Sequence, residues 1–262
     1  TMFSVKNLFQ KTLNSIYLDS RANHTYINFE KRSNYLFNSS IEGIEESDLI
    51  LLIATNPRFE ATILNSRIRK TYLKNKTEIF SLEDVGDLTY PYKVLENNSK
   101  VIDKIIKNEH NLSNKIASAE KPIIILGQSI LNSNNGAYIF EELKKYLTSI
   151  NKIDDNWNAL NILSTDASAV GSYDLGIFSS NDGSNKTLKK IEDGDVEYIF
   201  LLGQDKLKNK KINEIIIYIG SHGDNGADMA DLILPGAAYT EQDGYFTNLE
   251  GKLQKAYKAS YP

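Results

Sequence analysis

The sequence predicts an α/β fold with a doubly wound, mostly parallel sheet, on three observations. Short runs dense in Ile, Leu and Val recur at residues 49–53, 123–126, 198–202, 215–219 and 232–234. The runs are continuous rather than alternating, which is the pattern of strands covered on both faces. Stretches with helical spacing separate them, and strand, turn, helix, strand repeated in this way belongs to doubly wound sheets.

The elements follow in order. Val5, Leu8, Phe9, Leu13 and Ile16 fall on one face of an N-terminal amphipathic helix. That stretch also carries Lys6 and Lys11 and meets no acid before Asp19, a pattern shared with mitochondrial targeting segments. The run at 49–53 ends in Thr55-Asn56-Pro57, where a capping side chain and a proline in the first turn open a helix over 59–74, with Ile63, Ile68 and Tyr72 inward. Residues 101–119 form a further helical stretch. A helix over 137–150 presents Ile139, Phe140, Leu143 and Leu147 as an apolar stripe. Residues 164–185 are rich in Gly, Ser and Asp and read as a long loop. The segment after Gly220 is interrupted by Gly223, Gly226, Gly236, Gly244 and Gly251 and, beyond the run at 232–234, reads as irregular. A single α/β domain over residues 1–262, with embellishments, accounts for this better than two domains, and its irregular ending implies that a partner chain completes it.

Composition excludes several functions. The 30 basic and 34 acidic residues give a net charge of −4, without the positive excess of a nucleic-acid footprint. Zero cysteines remove disulfides, thiolate-held iron–sulfur clusters, Cys-ligated zinc and Cys nucleophiles from this chain. His24, His110 and His222 lie too far apart in sequence for a local His metal motif. The longest apolar stretches, 49–54 and 215–219, fall far short of the ~20 residues of a membrane-spanning helix, so no direct membrane insertion is expected.

Ligands of open parallel sheets lie at the carboxyl ends of the strands. The places to look are Thr55-Asn56-Pro57-Arg58, Gly127-Gln128-Ser129, Gly203-Gln204-Asp205 and residues 220–228. Their backbone N–H groups, with Arg58 as counter-charge, suit a phosphate or nucleotide; the same residues also serve as caps and turns in a sheet that binds nothing. Ser221-His222-Gly223-Asp224 sets an imidazole and a carboxylate near a strand end, although residues two apart on a loop do not ordinarily face each other. Asp224, Asp228, Asp231, Glu241 and Asp243 offer oxygens for Mg²⁺ or Ca²⁺ without EF-hand spacing, and read first as caps and turn acids. Trp157, with Leu160, Ile162 and Leu163, reads as a core or interface anchor.

Residues 227–241, with Ala227-Asp228-Met229-Ala230-Asp231-Leu232-Ile233-Leu234-Pro235, and residues 243–254, with Thr247-Asn248-Leu249-Glu250-Gly251, resemble the signature of the molybdopterin oxidoreductase superfamily. Within it the likeness is to the large iron–sulfur subunit family of respiratory complex I, NADH:ubiquinone oxidoreductase. Supporting stretches fall in the expected order: Arg32-Ser33-Asn34-Tyr35-Leu36, residues 43–48, 55–61 and 65–70, Asp87-Leu88-Thr89-Tyr90, Lys121-Pro122, residues 157–163 and residues 220–224.

The resemblance implies a structural part of the matrix-facing arm of mitochondrial complex I, on the inner membrane. Such a chain supports NADH-to-ubiquinone electron transfer by scaffolding a cluster-bearing neighbour. In the family a ferredoxin-like region with the cluster cysteines precedes this domain. The implied arrangement is therefore a split or truncated subunit, its iron–sulfur clusters on a separate partner chain and other complex I subunits around it. Complex I relatives keep the fold without the pterin, so no catalytic, cofactor-binding or metal-ligating residue is expected here. Leu249 stands where Thr is common and Lys252 where Arg is common, and a Lys offers a point charge in place of a bidentate fork. The alternative is a molybdopterin- or nucleotide-dependent oxidoreductase acting on a small substrate through the loops at Asn56, Gly203 and His222, with a Ser metal ligand left open by composition. A scaffold completed by other chains should expose apolar patches at both chain ends.

Overall fold

The apolar runs become strands, with helices between them. The computed structural model describes residues 1–96, 98–207 and 213–261; residues 97, 208–212 and 262 of the expected domain lie outside the described residues. The helices are α1 Met2–Asn7, α2 Pro57–Glu60, α3 Thr62–Asn75, α4 Lys100–Ile106, α5 Asn111–Ser118, α6 Gln128–Leu131, α7 Gly136–Ser149, α8 Ala169–Asp174, α9 Lys186–Asp193 and α10 Asn225–Asp228. The strands are β1 Leu49–Ile53, β2 Glu78–Ser81, β3 Lys93–Val94, β4 Pro122–Gly127, β5 Leu160–Leu163, β6 Tyr198–Leu202, β7 Ile215–Gly220, β8 Leu232–Pro235, β9 Gly244–Thr247 and β10 Leu253–Ala256. The chain divides into two compact units, one of Thr25–Val170 with Leu249–Gly251, the other of Thr1–His24, Gly171–Asn248 and Lys252–Pro262.

The first unit holds a five-stranded sheet in the order β3-β2-β1-β4-β5, parallel throughout. Every residue of β1 and β4 is buried, as continuous apolar runs require. Leu49, Leu51, Ile53, Ile124 and Leu126 pack on one face with residues of α4, α5 and α7. Ile50, Leu52, Ile123 and Ile125 pack on the other with Leu64 and Ile68 of α3. Each such side chain contributes about 1.5–3 kcal/mol on burial. Helices on both faces and a reversal of strand order between β1 and β4 make this a doubly wound sheet. Trp157, the only tryptophan, packs against both apolar clusters and donates its indole N–H to Pro122 O at 2.8 Å.

The second unit holds a three-stranded parallel sheet, β6-β7-β8, and an antiparallel hairpin, β9-β10. Its core gathers Leu188, Ile199, Leu201, Leu207, Ile216 and Tyr218.

Several elements differ from expectation. The helix over 59–74 is broken at Ala61, whose backbone is not helical (φ −153°, ψ 70°); Phe59 and Ile63 are exposed, Ile68 is buried and Tyr72 half-buried. The stretch over 101–119 is two helices, parted at Asn108 with positive φ and restarted where His110 Nδ1 accepts the Leu112 N–H at 3.1 Å. The 164–185 loop contains α8, and the end of the chain contains the β9-β10 hairpin, where glycines had suggested irregularity. The N-terminal apolar stripe is not maintained, because α1 gives way at Leu8–Thr12 to a wider turn with five-residue spacing, leaving Leu8, Leu13 and Ile16 exposed. The strands β2 and β5, four residues each, were not legible as strands.

A surface charge cluster fixes the turn before β1. Glu45 accepts from Lys70 Nζ at 2.7 Å and Arg67 Nη1 at 2.5 Å, and these two α3 cations hold its carboxyl below the usual glutamate range. A depressed carboxyl stabilises the fold above its unfolded pKa of about 4.3, and that contribution is lost as pH falls through the folded value. Glu45→Gln is expected to flatten the acid limb of stability below the unfolded pKa of about 4.3, and less so in high salt. Urea midpoints followed by Trp157 fluorescence check this; an unchanged acid limb counts against the ion pairs.

Candidate functional site

The switch point of the five-stranded sheet, at the ends of β1 and β4, is where a doubly wound fold receives a ligand. The sequence folds it tightly. Ala54 turns with positive φ, Asn56 caps α2 by accepting the Arg58 N–H at 3.1 Å, and Pro57 begins the helix. On β4, an added Cβ at Gly127 would lie 2.0 Å from Ala54 O, so the two strand ends touch. Ser129 Oγ donates to the same carbonyl at 2.5 Å.

The donors that a phosphate would use are already engaged. Glu60 turns back over the first turn of α2: Oε2 accepts the hydroxyl of buried Thr55 at 2.7 Å and Oε1 accepts the Asn56 N–H at 3.1 Å. Asn56 Nδ2 donates to Val85 O, and Arg58 Nη1 donates to Asp87 Oδ2 at 2.6 Å. The Thr89 N–H and then Arg58 hold the Asp87 carboxyl low. Gln128 accepts from Thr165 and donates to Asp166 Oδ2 at 3.3 Å. The Glu60 carboxylate thus takes up the Thr55 hydroxyl and the Asn56 N–H, and its charge disfavours an anion at this turn.

The strand ends of the other unit are filled in a different way. Gly203, with positive φ, donates its N–H to Ile219 O. An added Cβ on Gly220 would meet Tyr218 Oη at 2.3 Å, and one on Gly226 would meet Tyr218 Cε2 at 2.5 Å. The buried Tyr218 ring therefore occupies the space these glycines leave, and burial, with Asp205 and Asp224 nearby, pushes its hydroxyl up. Asp205 Oδ1 accepts the Gly226 N–H at 2.9 Å.

The candidate catalytic groups are dispersed. His222 Nδ1 bonds Ser221 Oγ at 2.9 Å, on an exposed turn, while Asp224 precedes α10. Asp231 accepts the Ile216 N–H at 2.9 Å, Glu241 the Ala238 N–H at 2.8 Å and Asp243 the Lys258 N–H at 2.9 Å, so these three acids act as backbone caps. The family-like turn at 248–251 is structural too. Leu249 packs into the apolar cluster containing Phe37, Glu250 accepts the Ile41 N–H, and Gly251 O accepts from Arg32 Nη2 at 2.7 Å. Lys252 is exposed.

Sequence reasoning missed Glu60 and Tyr218. An acid in the first turn behind a cap was the available signal for Glu60; Tyr218 lay within an apolar run and gave none. Glu60→Ala leaves the Thr55 hydroxyl and the Asn56 N–H without their acceptor and is expected to cost about 1–3 kcal/mol. Inorganic phosphate should then raise the melting midpoint of the variant but not of the parent chain. Equal response of the two would show that Glu60 does not occupy an anion position.

A family model described as Molybdopterin oxidoreductase matches residues 1–262. Similar curated proteins include the NADH-ubiquinone oxidoreductase 75 kDa subunit of Reclinomonas americana, 40% identical over 245 residues, which cover 93% of this chain and 35% of that protein. The mitochondrial 78 kDa subunit of Candida albicans is 35% identical over 266 residues, 100% of this chain and 35% of that protein. An NADH-quinone oxidoreductase subunit of Rickettsia bellii is 37% identical over 262 residues, 100% of this chain and 37% of its own length. The chain thus spans about a third of the length of these relatives. With parallel sheets as the resemblance implied and a family match along its whole length, the chain belongs to the molybdopterin oxidoreductase family.

Proposed function

We propose that the chain is a structural part of the large subunit of respiratory complex I, in the peripheral arm on the matrix side of the mitochondrial inner membrane. It supports NADH-to-ubiquinone electron transfer by holding cluster-bearing protein in place and carries no cofactor or catalytic residue of its own. The observation that carries the scaffold reading is the filling of both sets of strand ends by the chain's own groups, Glu60 in one unit and Tyr218 in the other. Identity of 35–40% to NADH-ubiquinone oxidoreductase 75 and 78 kDa subunits supports the assignment to complex I, and two of those relatives are named as mitochondrial. Zero cysteines put thiolate-ligated clusters on other protein, either a separate chain or another part of the subunit. None of the described helices is long and apolar enough to cross a membrane.

Native separation of mildly solubilised membranes tests the reading. The chain is expected to migrate with the NADH-oxidising band, and denaturing the purified chain should release neither molybdenum nor pterin. Migration as a small species, or released pterin, overturns it and favours the small-substrate oxidoreductase.

A further inference from the structure

Helix α3 is apolar where it meets the core and apolar again where it meets water. Leu64 and Ile68 turn inward and pack with β1 and β4 of the five-stranded sheet. Ile63 and Leu73, on the opposite side, are 75% and 54% exposed, and Phe59 of α2, four residues before Ile63, is 81% exposed. A surface helix ordinarily gives that side to charged and polar groups. Ile63, Ser66, Lys70 and Leu73 follow one another at spacings of three, four and three residues. They therefore form one line along the helix, about 15 Å from end to end.

The line has an apolar residue at each end and cations on its flanks. Helix α3 carries Arg67, Arg69, Lys70 and Lys74 and no acid, in a chain whose net charge is −4. Glu45 takes up Arg67 and Lys70, and Asp87 takes up Arg58 of α2. Arg69 and Lys74 are left over. Both are exposed and, among the described residues, neither has a carboxylate partner; Arg69 Nε donates to Thr89 O at 3.2 Å. Helical spacing puts them on opposite sides of the line, about 7.5 Å apart along the axis.

Apolar side chains within a charged rim are the composition of a protein-docking seam. The charges narrow the occupant. Glu45 and Asp87 stand among the same cations, so an anionic lipid surface would meet carboxylates as well. A permanently buried contact within one chain would desolvate Arg69 and Lys74, whereas a rim of unmatched cations suits a separate acidic partner.

We propose that the outer face of α3 is a docking site for an amphipathic helix of a separate acidic protein. The incoming helix sets apolar side chains against Ile63 and Leu73, and carries one carboxylate for Arg69 and another for Lys74. The proposal goes beyond the complex I reading and does not depend on it, since the site is built from α3 alone.

A photo-crosslinking amino acid in place of the exposed Ile63, in the chain as its own cells assemble it, tests this. The crosslinked peptide, mapped by mass spectrometry, is expected to come from a different protein and to carry Asp or Glu beside apolar residues at helical spacing. Lys74→Glu is expected to lower the yield about tenfold with the circular dichroism of the chain unchanged. Replacing the partner's facing acid by Lys should restore it, a charge swap that mere loss of structure would not show. Crosslinks to lipid, to a second copy of the chain or to the rest of the large subunit overturn the proposal, as does the absence of any crosslink. A yield indifferent to Lys74→Glu, or not restored by the swap, overturns it too. Failure of the chain to comigrate with complex I sinks that reading alone, because the crosslink is read in either case.

Discussion

Gly127→Ser is expected to destabilise the five-stranded unit by about 3 kcal/mol. Local rules predict the opposite. Gly127 is the N-cap of α6 at φ −75° and ψ 159°, a conformation open to any residue, and serine is the better cap by a few tenths of a kcal/mol. Sterics decide against it. The new Cβ would lie 2.0 Å from Ala54 O and 2.8 Å from Ala54 C and Thr55 Cβ, all fixed groups at the end of a fully buried strand. Relief requires β1 and β4 to part, which breaks packing on both faces of the sheet. Urea unfolding read by Trp157 fluorescence measures the loss; a midpoint at or above that of the parent chain would show that the strand ends do not touch.

Asn161→Leu is the second large effect, about 2–4 kcal/mol. Asn161 is fully buried on β5. Its Oδ1 accepts the Ser39 N–H at 2.8 Å, and its Nδ2 donates to Ser39 Oγ at 3.0 Å and Ala159 O at 2.9 Å. Leucine matches the volume but leaves the buried Ser39 N–H unpartnered, while Ala159 O keeps the Ile124 N–H at 2.8 Å, and the desolvation penalty outweighs the gain in apolar burial. The Ser39 Oγ keeps its own bond to Asn158 O at 2.8 Å, which limits the damage. Hydrogen exchange should show the Ser39 amide losing protection selectively. If that amide exchanges as in the parent chain, the bond to Asn161 is not its protector.

Interior strands were legible because burial on both faces leaves an unbroken apolar run, as at β1 and β4. Strand β5 was hidden by Asn161, a polar residue accepted in the core only because a loop distant in sequence meets it. The broken helix at Ala61 was hidden for a related reason: the break follows Glu60 folding back on Asn56, a tertiary choice that periodicity does not encode. Apolar patches were expected at both chain ends; Phe3, Leu13 and Ile16 near one end and Leu253 and Tyr257 near the other are exposed. At the candidate site the positions of turns were readable, but not their occupants. A glycine signals close approach without saying whether a ligand or a tyrosine approaches.

The turn at 249–251 sets an order on biosynthesis. Arg32 and Ile41 must wait for partners 219 and 209 residues later in the chain. Closing so long a loop adds little to the equilibrium cost, which grows only logarithmically with length, but it delays the event. On the ribosome the Phe37 wall of the first unit therefore stays open until residue 251 has emerged. Throughout that interval it is a surface for chaperones to hold, and a translation stop before Leu249 releases a product with that apolar wall uncovered.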